Sequence, residues 1–226
     1  MPAHPLETDI GPLHRLAHAQ LLVAAEREGW VADAVAAALG PDAQLALEAS
    51  RAEHPLDLDE DLARLASGRD AHEVLADLVG RAHSREGASY AALVAAGGDE
   101  AEVRLRLVAW DHGAEIGRRI ASTAKAGSGP GTVLDLLTES LLEDLPCRSS
   151  LTLQVDEPGR VTWRHDRCPF QAAWEAAGAP HAVACSVISA WIRGFASGVD
   201  PNVEYRRPKA IARGDAWCEH ELVVIS

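Results

Sequence analysis

"LTLQVDEPGRVTWRHDRCPFQAAW", residues 151–174, decides the fold. "LTLQV" places apolar residues at alternate positions, the period of a strand with one buried face. "DEPG" is turn chemistry, and "RVTW" returns. This predicts a β-hairpin. Pro169 then suits the first position of a helix. Cys168 is therefore expected at a strand-to-helix junction, with His165 and Asp166 beside it.

Working outward, "PFQAAWEAAG" reads as a short helix. "PHAVACSVISAWIRGFASG" reads as a longer one, with His181, Ala184, Cys185, Ile188, Ile192 and Phe195 on one face. "VDPN" turns the chain. "VEYRRPKAIAR" is extended, and Pro208 within it marks an edge or a bulge. "GD" turns again before a last strand, "AWCEHELVVI". The order is ββααββ, an antiparallel sheet with two helices on one face.

Upstream of about residue 146 the chain changes character. Ala and Leu dominate and β-branched residues are sparse. Pro12 opens a helix, and Gly40-Pro41 breaks the pattern. Asp70-x-x-Glu73, Asp99-x-x-Glu102 and Thr132-x-x-Asp135 resemble capping boxes. The helix after Asp99 is expected to run to "AGSGPG". The helix after Thr132 is expected to run to about Asp144, with Pro146 closing it. The fold class is α+β: a helical N-terminal half packed on a C-terminal antiparallel sheet.

The chain has 226 residues, is 47% hydrophobic and carries a formal charge of −13. That balance argues against nucleic acid and anionic membrane surfaces as partners. The first 30 residues lack a basic start and an apolar core of signal-peptide type, and no apolar run approaches a membrane span. The expectation is a soluble cytoplasmic protein with free thiols, its homo-oligomeric state left open.

Three of the four cysteines fall at particular places in the C-terminal unit. Cys168 leads the first helix, Cys185 lies on the inward face of the second, and Cys218 follows the "GD" turn. A ββαα unit can bring these positions to one end of a sheet. Free cysteine also packs readily as a small apolar group. At a helix start, unpaired N–H groups and the dipole favour a thiolate at Cys168.

"CPF" before a helix, then Cys185, then "VEYRRPKAIARGDAWCEHELVV" resembles the L-2-amino-thiazoline-4-carboxylate hydrolase family. The chain is also similar to the vinyl-4-reductase domain, a small-molecule-binding module, through "WDHGAEIGRRIA" and "KAIARGDAWCEHEL". The likeness covers about residues 103–226, which divides the chain into a helical region, 1–102, and an α+β domain, 103–226. Ala210 stands where vinyl-4-reductase domains often carry a cysteine. Trp217 stands where the thiazoline hydrolases often carry the first of two.

The resemblance implies a small-molecule hydrolase acting on a C–N or C–S bond of a thiazoline-like heterocycle. Cys168 would attack as thiolate, or Cys168, Cys185 and Cys218 would hold a zinc that activates water. His165 or His220 would carry the proton, and Asp215 would orient one of them. Arg207, Lys209 and Trp217 are the candidates for substrate contact, with Arg193 and Arg206 as further cations for a carboxylate. The alternative is a non-catalytic binding module, a sensor or carrier. Elsewhere, His14 and His18 share a helix face at metal-ligand spacing, though such sites need further ligands. Asp111 and His112 fall in the long helix, where a solvated face is the commoner fate. Gly127, Gly129 and Gly131 lack the lysine and hydroxyl of a phosphate loop and read as a helix break.

Overall fold

A computed structural model describes residues 10–58, 61–124, 127–148 and 150–225. Among these residues, seven α-helices and four strands follow in chain order: α1 Pro12–Leu39, α2 Pro41–Glu53, α3 Leu62–Leu65, α4 Ala71–Ala124, α5 Pro130–Ser140, β1 Leu151–Glu157, β2 Arg160–His165, α6 Gln171–Ala176, α7 His181–Val199, β3 Val203–Lys209 and β4 Cys218–Val224. The described part of the N-terminal half is helical, and the sheet that follows is wholly antiparallel, as the residue pattern predicts.

The N-terminal punctuation is legible. Pro12 and Pro41 occupy first-turn positions, and Gly40 between them takes φ 102°. The Asp70 carboxylate accepts the Glu73 N–H at 3.0 Å. The capping box at Asp99 corresponds to a break inside α4 at Gly98, φ 54°. The expected boundary at 102/103 falls inside α4, just past that break. Buried ionic groups tie α1 and α2 to α4: Arg27 donates to Glu86 at 2.7 Å, and Glu28 accepts from Arg51, Arg85 and Ser89.

Four glycines then set how α4 meets α7. A Cβ on Gly113 or Gly117 would run into the backbone of Trp191 and Phe195, and one on Gly194 or Gly198 into the backbone of Trp110 and Ala114. The two helices therefore touch main chain to main chain. α7 is buried on two sides, between α4 and the sheet. Although its length and composition would suit a membrane span, contrary to the expectation that no run does, more than half of it is buried here.

The strand order is β1-β2-β4-β3. β3 is an edge strand, and its register shifts between Arg206 and Lys209, around Pro208, which cannot donate to the ladder. In β1 a register shift between Leu153 and Val155 breaks the expected alternation, leaving Leu153 exposed. Two helix boundaries differ from the sequence reading. α5 begins at Pro130, not after Thr132, and ends at Ser140, not near Asp144. Leu141 is extended there, which lets Leu142 and Leu145 bury against α1 and α4. The α5 terminus is held by Gln20, whose amide donates to the Thr138 carbonyl at 2.7 Å.

Candidate functional site

Side chains alternate across a strand, so Trp163 and His165 of β2, Cys218, His220 and Leu222 of β4, and Tyr205 and Arg207 of β3 share one face. Antiparallel register sets His165 opposite Cys218 and Trp163 opposite His220. α7 adds Cys185 from above, and the turn before α6 adds Cys168. Cys168, Cys185 and Cys218 line one cavity together with His165, His220 and Arg207. Its volume is about 10 Å³, the room needed for one water-sized molecule.

The thiols differ in surroundings. α6 begins at Gln171, with Phe170 at its cap, so Pro169 is not the first helical residue. Burial pushes the Cys168 thiol up to about 11, against the pull of the Phe170 and Gln171 N–H groups. The expected helix-start activation is thus outweighed by desolvation. Burial also raises Cys185, opposed by the Arg207 charge. Cys218 sulfur accepts from Arg207 Nη2 at 3.2 Å and from the Ile211 N–H at 3.4 Å. Arg207 Nη1 donates to Ser189 Oγ at 2.7 Å, and its Nε is buried without a partner. Burial works against the Arg207 charge, but Tyr205, Cys185 and Cys218 hold its pKa above the ordinary arginine value. Among the described residues no three His, Cys, Asp or Glu side chains stand where they would hold a metal ion. With a guanidinium donating into Cys218, the donor set as it stands fits a buried cation of the protein's own rather than zinc.

Beneath the sulfurs runs a chain of hydrogen bonds. Glu143 Oε2 lies 3.0 Å from His165 Nε2, His165 Nδ1 lies 3.3 Å from His220 Nε2, and His220 Nδ1 lies 2.8 Å from Tyr205 Oη. An ionised carboxylate only accepts, so His165 donates through Nε2 and accepts through Nδ1. His220 must then donate through Nε2 and accept the Tyr205 hydroxyl proton at Nδ1. This order of donors and acceptors is the one that a neutral His165 takes beside an ionised Glu143. His220 stacks on Trp163, centroids 4.9 Å apart. Burial, with Arg207 and His165 adding to it, keeps the His220 pKa well below the usual histidine range. Both histidines engage both ring nitrogens within this chain of hydrogen bonds.

Two clefts adjoin the cavity. One, of about 480 Å³, is floored by Cys185 and Arg207, which line the cavity as well. The other, of about 230 Å³ and mostly apolar, shares Glu143 with the cavity.

Three predicted residues stand apart. Asp215 accepts the Ala210 N–H at 2.7 Å and lies 4.0 Å from Arg213, serving the turn before β4 and not the histidines. Lys209 and Trp217 are on the outer face, the ammonium 4.1 Å from the indole centroid and 3.3 Å from Glu219. The carboxylate bonded to His165 is Glu143, which the sequence hides inside an apparent helix. Tyr205 had a signal: it alternates with Val203 and Arg207 in "VEYRR". His112, expected on a solvated face, is buried and accepts the Trp191 N–H at 2.9 Å.

Residues 66–221, more than half of the chain, match the family model described as L-2-amino-thiazoline-4-carboxylic acid hydrolase. Every residue of the cavity and of the relay lies within that span, whereas α1 and α2 precede it. No curated protein and no solved structure matches the chain.

Proposed function

The chain belongs to the L-2-amino-thiazoline-4-carboxylic acid hydrolase family, and from that premise we propose that it hydrolyses a C–N or C–S bond of a thiazoline-like ring bearing a carboxylate. The ring sits in the larger cleft, and the reacting carbon meets Cys185 at its floor. What supports this reading is one feature: Cys185 and Arg207 line both the cleft and the cysteine cavity behind it. Arg207 supplies a permanent charge for the carboxylate. A buried thiol and a proton relay stand directly behind.

In this reading Cys185 sulfur adds to the ring carbon held between nitrogen and sulfur. The ring C–S bond breaks, and its sulfur takes a proton. The carbon stays on Cys185 through the new C–S bond. Water then adds at that carbon and Cys185 leaves, giving a ureido acid with a free thiol. The sum is substrate plus one water. If the ring C–N bond breaks instead, the same water gives an S-carbamoyl product with a free amine. His165, His220 and Glu143 are the acid–base groups at hand. Cys168 and Cys218 line the wall behind the attacking sulfur.

The test is turnover of 2-amino-thiazoline-4-carboxylate by the purified chain, followed by mass spectrometry and by thiol release. A gain of one water is expected, and Cys185→Ser is expected to lower the rate at least about 100-fold, within the range for loss of a catalytic group. Binding of the ring without any product would instead support the non-catalytic binding module. Full activity in Cys185→Ser, with loss in Cys168→Ser, would move the attack to Cys168.

A further inference from the structure

The larger cleft carries more positive charge than one carboxylate needs. Arg106 from α4, Arg193 from α7, Arg207 from β3 and Arg213 from the turn after it all line it. No Asp or Glu among the described residues does, although the chain has 34 acids against 21 lysines and arginines. The other clefts are unlike it: Glu139, Glu143 and Asp144 line the smaller one. These cations are only weakly answered locally. The Arg193 charge acts on Glu204 without a close ion pair, Arg213 is 4.0 Å from Asp215 and donates to the Arg207 and Pro208 carbonyls, and the Arg106–Glu102 pair at 3.6 Å is half-exposed and weak. Gathering like charges on three elements costs stability unless something anionic answers them, and an acidic molecule repels anions unless a local field reverses its sign.

We propose that this cleft binds a small heterocycle carrying two carboxylates, one at Arg207 on the floor and the second at Arg193, with Arg106 and Arg213 beside it. A single carboxylate is saturated by one bidentate guanidinium, which leaves the outer arginines unused. Leu107, Trp110, Ala182, Ala190 and Ala212 provide an apolar wall between them for a flat ring. At about 480 Å³ the cleft has the size of a site for a substituted ligand, beyond what one five-membered ring with one carboxylate fills. The inference rests on the reading that the substrate occupies this cleft and extends it to a dianionic substrate class.

The probes are thiazolidine-4-carboxylate and thiazolidine-2,4-dicarboxylate, whose saturated rings lack the amidine carbon, titrated calorimetrically into the full chain. The dicarboxylate is expected to bind at least about tenfold more tightly. Arg193→Gln, a change at an exposed side chain, is expected to remove most of that preference while leaving the monocarboxylate affinity within about twofold. Equal affinities, no binding of either probe, or equal weakening of both by Arg193→Gln would overturn the proposal. A clear dicarboxylate preference without turnover of the aminothiazoline would sink the hydrolase reading alone. Turnover without the preference would sink this inference alone.

Discussion

With His165 neutral, an ionised Glu143 orders the protons of His165, His220 and Tyr205 in one direction, because a carboxylate can only accept. In Glu143→Gln the amide can present either an oxygen or an N–H to His165, so the chain loses its fixed order. The expected result is a fall in kcat of about 10- to 100-fold, with KM little changed and the melting temperature nearly kept, since general acid–base groups carry contributions of that order. Glu143→Asp should restore part of the loss. Cys185 gives a second expectation. Its thiol is raised by burial, so the thiolate fraction, and turnover with it, should climb as pH rises past neutrality. A rate that is flat from pH 7 to 9 would contradict the assignment of the attack to Cys185. His112 gives a third, on stability. Burial lowers its pKa from 6.5 to about 4, and burial also lowers His83 and His220. Below pH 6.5 the unfolded chain takes up protons that the folded chain refuses, so stability should decline as pH falls from about 6.5 toward about 4. Urea midpoints across that range check it. His112→Gln, which keeps an acceptor for Trp191, should make the decline shallower.

The pairing of α4 with α7 depends on glycine. Gly113→Ala or Gly194→Ala would force a methyl group into the facing main chain. Overpacking of this kind costs roughly 1–3 kcal/mol or more. Gly80, also in α4, has open space around it, so Gly80→Ala should stabilise the chain by about 0.5–1 kcal/mol through helix propensity alone. Chemical denaturation of the three variants separates close packing from propensity. Both elements were legible in the sequence as helices, because their apolar residues recur at helical spacing. Their mutual approach was not: spacing shows that Gly113 and Gly117 lie one turn apart, as do Gly194 and Gly198, but not that the two pairs face each other. The hairpin, α7 and the final strand were readable for a related reason, since alternation and turn residues are local signals. The end of α5 was not. Its sequence continues to look helical through Asp144, and only the burial of Leu142 and Leu145 against α1 and α4 turns the chain out of the helix and carries Glu143 to His165. The same limit explains Asp215 and Trp217. Sequence places them beside Cys218, but the sheet has two faces, and the turn itself uses the Asp215 carboxylate.

The described residues form two apolar clusters, and the one that reaches the sheet crosses from the N-terminal helices. It joins Val31 and Val35 of α1 to Leu105 of α4, Trp191 of α7 and Trp163 and Leu222 of the sheet. Nothing in it respects residue 102, and α4 carries the chain across that point as helix. Far-UV circular dichroism, reporting mainly helix, and fluorescence of the six tryptophans, of which Trp163, Trp174 and Trp191 are buried, should therefore give coincident unfolding midpoints. Two separated transitions, or proteolysis that frees two folded halves, would show independent units. The smallness of the cysteine cavity has a consequence for which partner ends the reaction. An adduct on Cys185 can be resolved from behind only by a molecule that fits about 10 Å³. Water fits; methanol, hydroxylamine and a second thiol do not. The site should consequently choose its acceptor by size, and adding a large excess of methanol should divert almost none of the product to an O-methylisourea. Transfer to larger acceptors is closed from this side by the size of the cavity, and from the larger cleft as long as the ring-opened substrate fills it.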